Sequence, residues 1–187
     1  LINIICRKKV KEEHVTDVID KCYSENYNIF INICDYTLHH NIKDMNIINV
    51  DEDNKFNVTY HQLDMEDAPD HSSNLIEFMG DKQYDIVLDL ESTLELENNF
   101  LNELELECLE DDNYGSTYCD FYSKTKTGHK IHIHQKSFPL INNSLPVVAF
   151  SVKNYIKYAG SENAKGEVLS NMIARHVPKA LCSVINA

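Results

Sequence analysis

The apolar positions change period twice within the first 35 residues. Ile2, Ile4 and Ile5 form a short apolar run suited to a buried strand. Beyond Lys11 the period lengthens: Val15, Val18, Ile19, Cys22 and Tyr23 fall at i, i+3, i+4, i+7 and i+8, one stripe of an amphipathic helix. Asn28–Cys34 (NIFINIC) returns to a β-rich run. Strand, helix and strand at these lengths predict a βαβ unit with a parallel, right-handed crossover.

The signal weakens between Asp35 and Asp81. MNIINV and FNVTYHQL predict strands joined by the polar turn DEDNK. The acidic stretch Asp64–Ser73, which contains Pro69, predicts a loop, with a short helix over Asn74–Met79. Tyr84–Leu90 (YDIVLDL) is the clearest central strand. Phe100, Leu101, Leu104, Cys108 and Leu109 mark an amphipathic helix ended by Asp111–Gly115. Thr117–Tyr122 and Lys130–His134 pair as a hairpin around the turn KTKTG, and Leu145–Val152 is a further strand. A helix over roughly Lys165–Arg175 stops near Pro178. Neither a repeat nor a linker interrupts the pattern, so residues 1–187 are expected to form one α/β domain, either complete or excised from a longer chain.

Composition narrows the class. Hydrophobic residues make up 43% and charged residues 25% of the chain, which marks a folded globular protein. The net charge is −13, and no Lys or Arg occurs from Gln83 to Ser123. A nucleic-acid partner is therefore not expected, because phosphate counterions are displaced by Lys and Arg. No apolar run approaches the roughly 20 residues of a membrane helix, and LINIICRKKV has its apolar stretch before its basic one, the reverse of a secretory signal. Cys6, Cys22, Cys34, Cys108, Cys119 and Cys182 are scattered without a C-x-x-C pair, which suits reduced core thiols in a cytoplasmic protein.

Several chemistries lack their signatures. The sequence has no G-x-G-x-x-G and no Walker loop, and its five glycines leave little for a phosphate cradle. VTYHQLDMEDAPD is similar to a stretch of dual-specificity phosphatases, but no Cys is followed six residues later by Arg. YDIVLDLEST is similar to the acidic strand of methyltransferases, but the glycine-rich cofactor turn is missing. His129, His132 and His134 are candidate metal ligands, with His132 and His134 on one face of a strand. No carboxylate at short spacing completes that set, though distant ones could fold in, and exposed hairpin histidines are the competing account. The strongest constellation is Asp89-Leu90-Glu91 at the end of a buried strand. Two carboxylates at i and i+2 can turn toward one hard cation such as Mg²⁺ or Mn²⁺, and strand C-terminal ends are where α/β sheets place ligands. An ordinary acidic helix-capping turn is the alternative.

In order along the chain, these segments resemble the family 2 glycosyltransferases of GT-A fold. INIICRKKVKEEHVTDVIDKCYSENYNIFINICDYT looks like their opening βαβ, with Asp35 on an acidic position of the nucleotide-contacting turn. YDIVLDLESTLELENNFLNEL resembles the family's strand, D-x-D and following helix, with Asp89 and Glu91 on the acidic positions. YGSTYCDFYSKTKTGHKI matches a hairpin carrying Asp120, and PVVAFSVKNYIKYAG is similar to an acceptor-side strand and helix start. HVPKALCSV is similar to the closing H-I-P-x-x-L-Y segment through His176, Pro178 and Leu181. The chain departs from the family in three places. Glu replaces the second Asp of D-x-D, the Gly-Ser of the nucleotide turn is lost, and no Glu-Asp pair precedes the last helix.

The resemblance implies a GT-A-like three-layer sandwich with a mostly parallel central sheet plus a small β-hairpin. It implies an inverting transfer of a sugar from a nucleotide-diphosphate donor to a carbohydrate or other hydroxyl acceptor. In that scheme Asp89 and Glu91 hold a divalent cation, Mn²⁺ or Mg²⁺. Cys6, Asp35 and Asp89 contact the nucleotide, and Glu167 or Glu162 serves as the base. Glu167 opens an apolar helical pattern with Val168, Leu169, Met172 and Ile173, where the helix dipole favours its anion. A non-catalytic GT-A-like binding or assembly module that has lost its chemistry is the alternative.

Overall fold

The computed structural model describes residues 1–37, 56–64, 83–110, 113–134, 146–159 and 172–185. The expected strand MNIINV, the helix Asn74–Met79, nearly all of the Asp64–Ser73 loop, and both base candidates Glu162 and Glu167 lie outside the described residues. The opening segment follows its periodicity: β1 (Ile2–Cys6), α1 (Glu12–Lys21) and β2 (Ile29–Asp35). Val15, Val18 and Ile19 of α1 are buried, as is Cys22 just beyond it, whereas Tyr23 at the end of the stripe is exposed and tilts against Phe56. Glu12 and Glu13 in the first turn and Lys21 in the last complement the helix dipole.

The remaining elements are β3 (Phe56–Gln62), β4 (Ile86–Glu91), β5 (Leu94–Leu96), α2 (Phe100–Glu103), a 3-10 turn (Leu106–Glu110), β6 (Ser116–Lys124), β7 (Lys130–Ile133), β8 (Val147–Ser151), α3 (Val152–Ala159) and β9 (Ala174–Ile185). The strands form one sheet in the order β3-β2-β1-β4-β8-β6-β9-β5, with β7 on β6. β1 runs parallel to β2 on one side and to β4 on the other, with Ile4 opposite both Ile33 and Leu90.

The sheet is mixed rather than mostly parallel. β1–β2, β1–β4, β2–β3 and β6–β9 are parallel, while β4–β8, β6–β8, β6–β7 and β5–β9 are antiparallel. The first half is joined by long crossovers, which permit parallel pairing, whereas the tight β6–β7 turn forces reversal.

Alternation sends successive side chains to opposite faces. One face packs Ile2, Ile4, Ile31, Ile33 and Leu90 against α1, α2 and the 3-10 turn. The other packs Val87, Tyr118, Val148 and Phe150 against Tyr155 of α3. Helices on both faces make the expected three layers.

Two expected elements differ. The amphipathic run from Phe100 to Leu109 is split, because Glu105 adopts a left-handed backbone (φ 56°) between α2 and the 3-10 turn. The last two residues of the helix expected over Lys165–Arg175, Ala174 and Arg175, instead open the twelve-residue β9, which continues through Pro178. Pro cannot donate to a ladder. Pro178 and Lys179 are accordingly bulged out of register between the pairs Cys119–Val177 and Asp120–Ala180.

All six cysteines are free thiols. Burial is the main cause that pushes Cys6 and Cys22 from the ordinary 9.0 to about 12. The folded chain thus holds these protons more tightly than the unfolded chain. Their contribution to stability is complete below pH 9 and is lost as pH rises from 9 toward 12. We predict that the urea midpoint falls on going from pH 8 to pH 10, and that Cys22→Ala flattens the fall. We also predict that Ile4→Ala, at a wholly buried position in the middle of β1, lowers unfolding free energy by about 2–5 kcal/mol. Ile173→Ala, at a site 61% exposed, should stay within about 0.5 kcal/mol of the parent in the same urea titration.

Candidate functional site

The parallel strands β1, β2 and β4 end side by side: Cys6 lies opposite Asp35, and Ile5 opposite Glu91. Alternation then separates the acidic residues. Asp89 and Glu91, two apart in β4, share the α3 face. Asp35 shares the α1 face with Cys6, Ile4 and Leu90. The electrostatics agree with this division. After burial, Asp89 is the next influence raising the Cys34 thiol and the Tyr155 phenol, both on its own face. Asp35 instead contributes to raising Cys6 on the opposite one. The structure therefore brings Asp89 and Glu91 together and leaves Asp35 at the same strand edge but on the far face.

Asp35 is wholly buried, and both carboxylate oxygens are engaged. The Thr37 backbone N–H donates to Oδ1 at 2.8 Å, and the Tyr60 hydroxyl donates to Oδ2 at 2.7 Å. The first bond closes a turn of the kind Asp forms with the backbone two residues on. Cys6 is also fully buried, and its carbonyl accepts the Tyr36 N–H.

Asp89 ends a chain of side-chain hydrogen bonds that crosses four parallel strands. The His61 imidazole lies 3.2 Å from Asn32 Oδ1, Asn32 Nδ2 donates to Asn3 Oδ1 at 3.2 Å, and Asn3 Nδ2 donates to Asp89 Oδ1 at 2.9 Å. An amide oxygen only accepts, so His61 Nε2 carries the proton in this contact. Burial lowers the His61 pKa from its ordinary 6.5, which keeps the ring neutral. Glu91, nearer the edge, pairs with the Arg7 guanidinium, with both side chains about a quarter exposed. Asp89 and Tyr36 also act electrostatically on Arg7, countering the effect of its burial. The result is a strand-end edge carrying two carboxylates and one cation. Two oxygen donors on one face fit a hard divalent ion in chemistry, with Arg7 as the competing cation at Glu91.

A second cluster lies on the same face, two strands away across β8. β6 pairs with β8 at Ser116–Thr117 and with β7 at Phe121–Lys124, so its edge forks around Tyr118–Asp120. In that fork Asp120 is wholly buried. His176 Nε2 lies 2.5 Å from its Oδ1, while His134 Nδ1 and His132 Nε2 lie 3.0 and 3.3 Å from its Oδ2. Of the histidines singled out in the sequence, His132 and His134 belong to this group. His129 is exposed in the hairpin turn, where its backbone N–H donates to Thr125 Oγ1. The carboxylate missing from the sequence reading is Asp120. The hairpin register (Phe121 opposite Ile133, Tyr122 opposite His132) carries the signal, because one further step places Asp120 opposite His134.

Among the described residues no helix is long and apolar enough to cross a membrane. No protein-family model matches the chain, and no curated protein matches it. Solved structures do. The chain is similar to GalNAc-T7, crystallised with UDP, GalNAc and Mn²⁺, with a TM-score of 0.63 and 10% identity over 99% of this chain. It is also similar to S. aureus TarS, with a TM-score of 0.61 and 11% identity over 99% of this chain. It spans 43% and 36% of those two chains. The likeness is one of architecture: the layered α/β arrangement and curled mixed sheet are those of GT-A glycosyltransferases.

The bond chain leading to Asp89 yields a stability prediction. Asn3→Ala removes one hydrogen-bond donor to Asp89 and strands the Asn32 amide, both in buried surroundings. Unfolding free energy should fall by about 1–3 kcal/mol, measured by urea titration. A neutral result would mean that water replaces the Asn3 side chain.

Proposed function

We propose that this chain is a divergent glycosyltransferase domain that transfers a sugar from a nucleotide-diphosphate donor to a hydroxyl acceptor by an inverting displacement. The carrying observation is the placement of Asp89 and Glu91 on one face at the C-terminal end of β4, beside the Arg7 cation. That is the sheet edge where open α/β folds receive ligands. The likeness to a protein crystallised with UDP and Mn²⁺ supports the donor class and the cation.

Asp89 and Glu91 would hold the divalent cation, Mn²⁺ or Mg²⁺, which neutralises charge on the departing diphosphate. Asn3 fixes Asp89 through the bond at 2.9 Å, so that the carboxylate is oriented before any ligand arrives. Arg7 would turn from Glu91 to a phosphate oxygen, a partner whose charge and geometry suit a guanidinium. Asp35 and Cys6, buried on the opposite face, would shape the strand ends beneath the nucleotide through their backbone rather than touch it with their side chains. Glu167, or Glu162, would take the proton from the acceptor hydroxyl.

A second reading, a non-catalytic binding module, draws on two contacts. Glu91 is already satisfied by Arg7, and both Asp35 oxygens are taken by Tyr60 and Thr37.

Calorimetry against a panel of nucleoside diphosphates, with and without Mn²⁺, tests the proposal. We predict Mn²⁺-dependent binding of at least one nucleotide, lost in Asp89→Ala and Glu91→Gln variants that keep the parent circular dichroism. Binding that is unchanged in both folded variants would reduce the acidic pair to a structural cap. For turnover, Glu167→Gln should slow sugar transfer by roughly 10²–10⁴-fold, the contribution of a positioned base. Full activity in that variant moves the role to Glu162, and nucleotide binding without turnover in the parent favours the binding module.

A further inference from the structure

We propose that Asp120, His132 and His134 form a binding site for a divalent transition-metal ion, zinc by its donor chemistry, and that the ion ties the β6–β7 hairpin to the sheet. The argument starts from convergence. His132 and His134 are two residues apart at the end of β7, so both rings project from the same face, with ring centroids 3.9 Å apart. Both aim a nitrogen at one atom, Asp120 Oδ2, at 3.3 and 3.0 Å. The ligand atoms of the three residues all lie within 4.8 Å of one another. Zinc takes nitrogen and oxygen ligands at about 2.0–2.2 Å in a tetrahedron, which sets ligand atoms roughly 3.4 Å apart. The two imidazole-to-carboxylate distances already approximate edges of such a polyhedron. A set of two imidazoles and one carboxylate matches zinc and its neighbours in the first transition row rather than Mg²⁺ or Ca²⁺. Three protein ligands leave the fourth position to water.

The surroundings position the carboxylate for this role. Asp120 is wholly buried, so its orientation is set by packing and partners. Its other oxygen, Oδ1, lies 2.5 Å from His176 Nε2, and the His176 ring stacks on Tyr118 at 5.2 Å. A ligating carboxylate held by an outer hydrogen bond is the usual support of a metal site. The register shifts of β9 on either side of Asp120 re-aim the strand at this point, as bulges beside functional sites do.

The ion would also serve a structural need. β7 is a four-residue strand that, among the described residues, pairs with β6 alone, and Lys130, Ile131 and His132 are exposed along it. A bond from Asp120 in the sheet to two side chains of the hairpin pins that edge. The inference does not rest on the glycosyltransferase reading, because the acidic pair of β4 takes no part in it.

The test uses the full chain, stripped with a chelator and titrated with Zn²⁺ against a chromophoric indicator, and with Co²⁺ for its visible spectrum. The expected result is one equivalent of Zn²⁺, a rise in melting temperature, and a tetrahedral Co²⁺ spectrum without a sulfur-to-cobalt band. His132→Gln with His134→Gln, both at accessible positions, should abolish binding, and His176→Gln should weaken it about 10–100-fold. His129→Gln, in the exposed hairpin turn, should bind as the parent does. The proposal is overturned if the parent takes up no stoichiometric zinc or the double variant binds as well as the parent. A sulfur band, which would place the ion on cysteines, overturns it equally.

Discussion

The directed run of hydrogen bonds from His61 through Asn32 and Asn3 to Asp89 joins the fold to the site. Each donor in it points toward the carboxylate, so the amide dipoles add, and in surroundings of low dielectric each strengthens the next. The same run fixes strand register. Asn3 is opposite Asn32 on one side and Asp89 on the other. A slip of one residue would turn each amide to the opposite face and strand it among Ile2, Ile4, Ile31 and Ile33. Because Asn3 and Asn32 are buried, such a slip leaves polar groups unpaired as well as apolar groups misplaced. The strands β3, β2, β1 and β4 are thus held in one alignment by the contacts that orient Asp89.

Period two also divides labour between the faces. The α1 face is almost purely apolar, and Asp35 is accommodated there only because Tyr60 and Thr37 satisfy both of its oxygens. The α3 face mixes aromatic packing with charge: Arg7, Asp89 and Glu91 at the ends of β1 and β4, then Asp120 and His176 beyond β8. Strand spacing puts β4 and β6 roughly 10 Å apart across β8. One sheet face therefore carries both charged clusters, and Asp35 alone of the candidate site carboxylates on the described strands lies on the other.

Much of this was legible in the sequence where burial and period agree. β1, α1, β2 and β4 could be read because their apolar residues repeat at the period of the element that buries them. Asn3 and Asn32 give no local signal, because their value lies in partners on other strands that local pattern cannot show. β9 was hidden twice: the helical spacing of Val168, Leu169, Met172 and Ile173 runs up to it in the sequence, and Pro178 reads as a stop. Pro178 is tolerated because a bulge removes it from the ladder. β5 was lost in an acidic stretch, since its burial rests on Leu94 and Leu96 alone. The two metal readings divide in the same way. Asp89-x-Glu91 is local and visible as text, whereas Asp120 joins His132 and His134 only through hairpin register.

The two clusters also differ in what they would select, which allows both on one face. The β4 pair offers carboxylate oxygens only, and its neighbour Arg7 already supplies a positive charge. A cation there must compete with a guanidinium, and it gains most when a diphosphate arrives that can accept Arg7 in exchange. On the proposed function, cation and nucleotide would then be taken up together, and Glu91 would stay paired with Arg7 in their absence. The Asp120 group offers two imidazoles, for which zinc outcompetes magnesium or manganese at equal availability. Its ligands sit between a buried strand and a hairpin, so the ion would exchange slowly and serve geometry. If both sites fill as proposed, donor softness and the presence of Arg7 at one cluster alone would keep the hard ion and the transition ion apart.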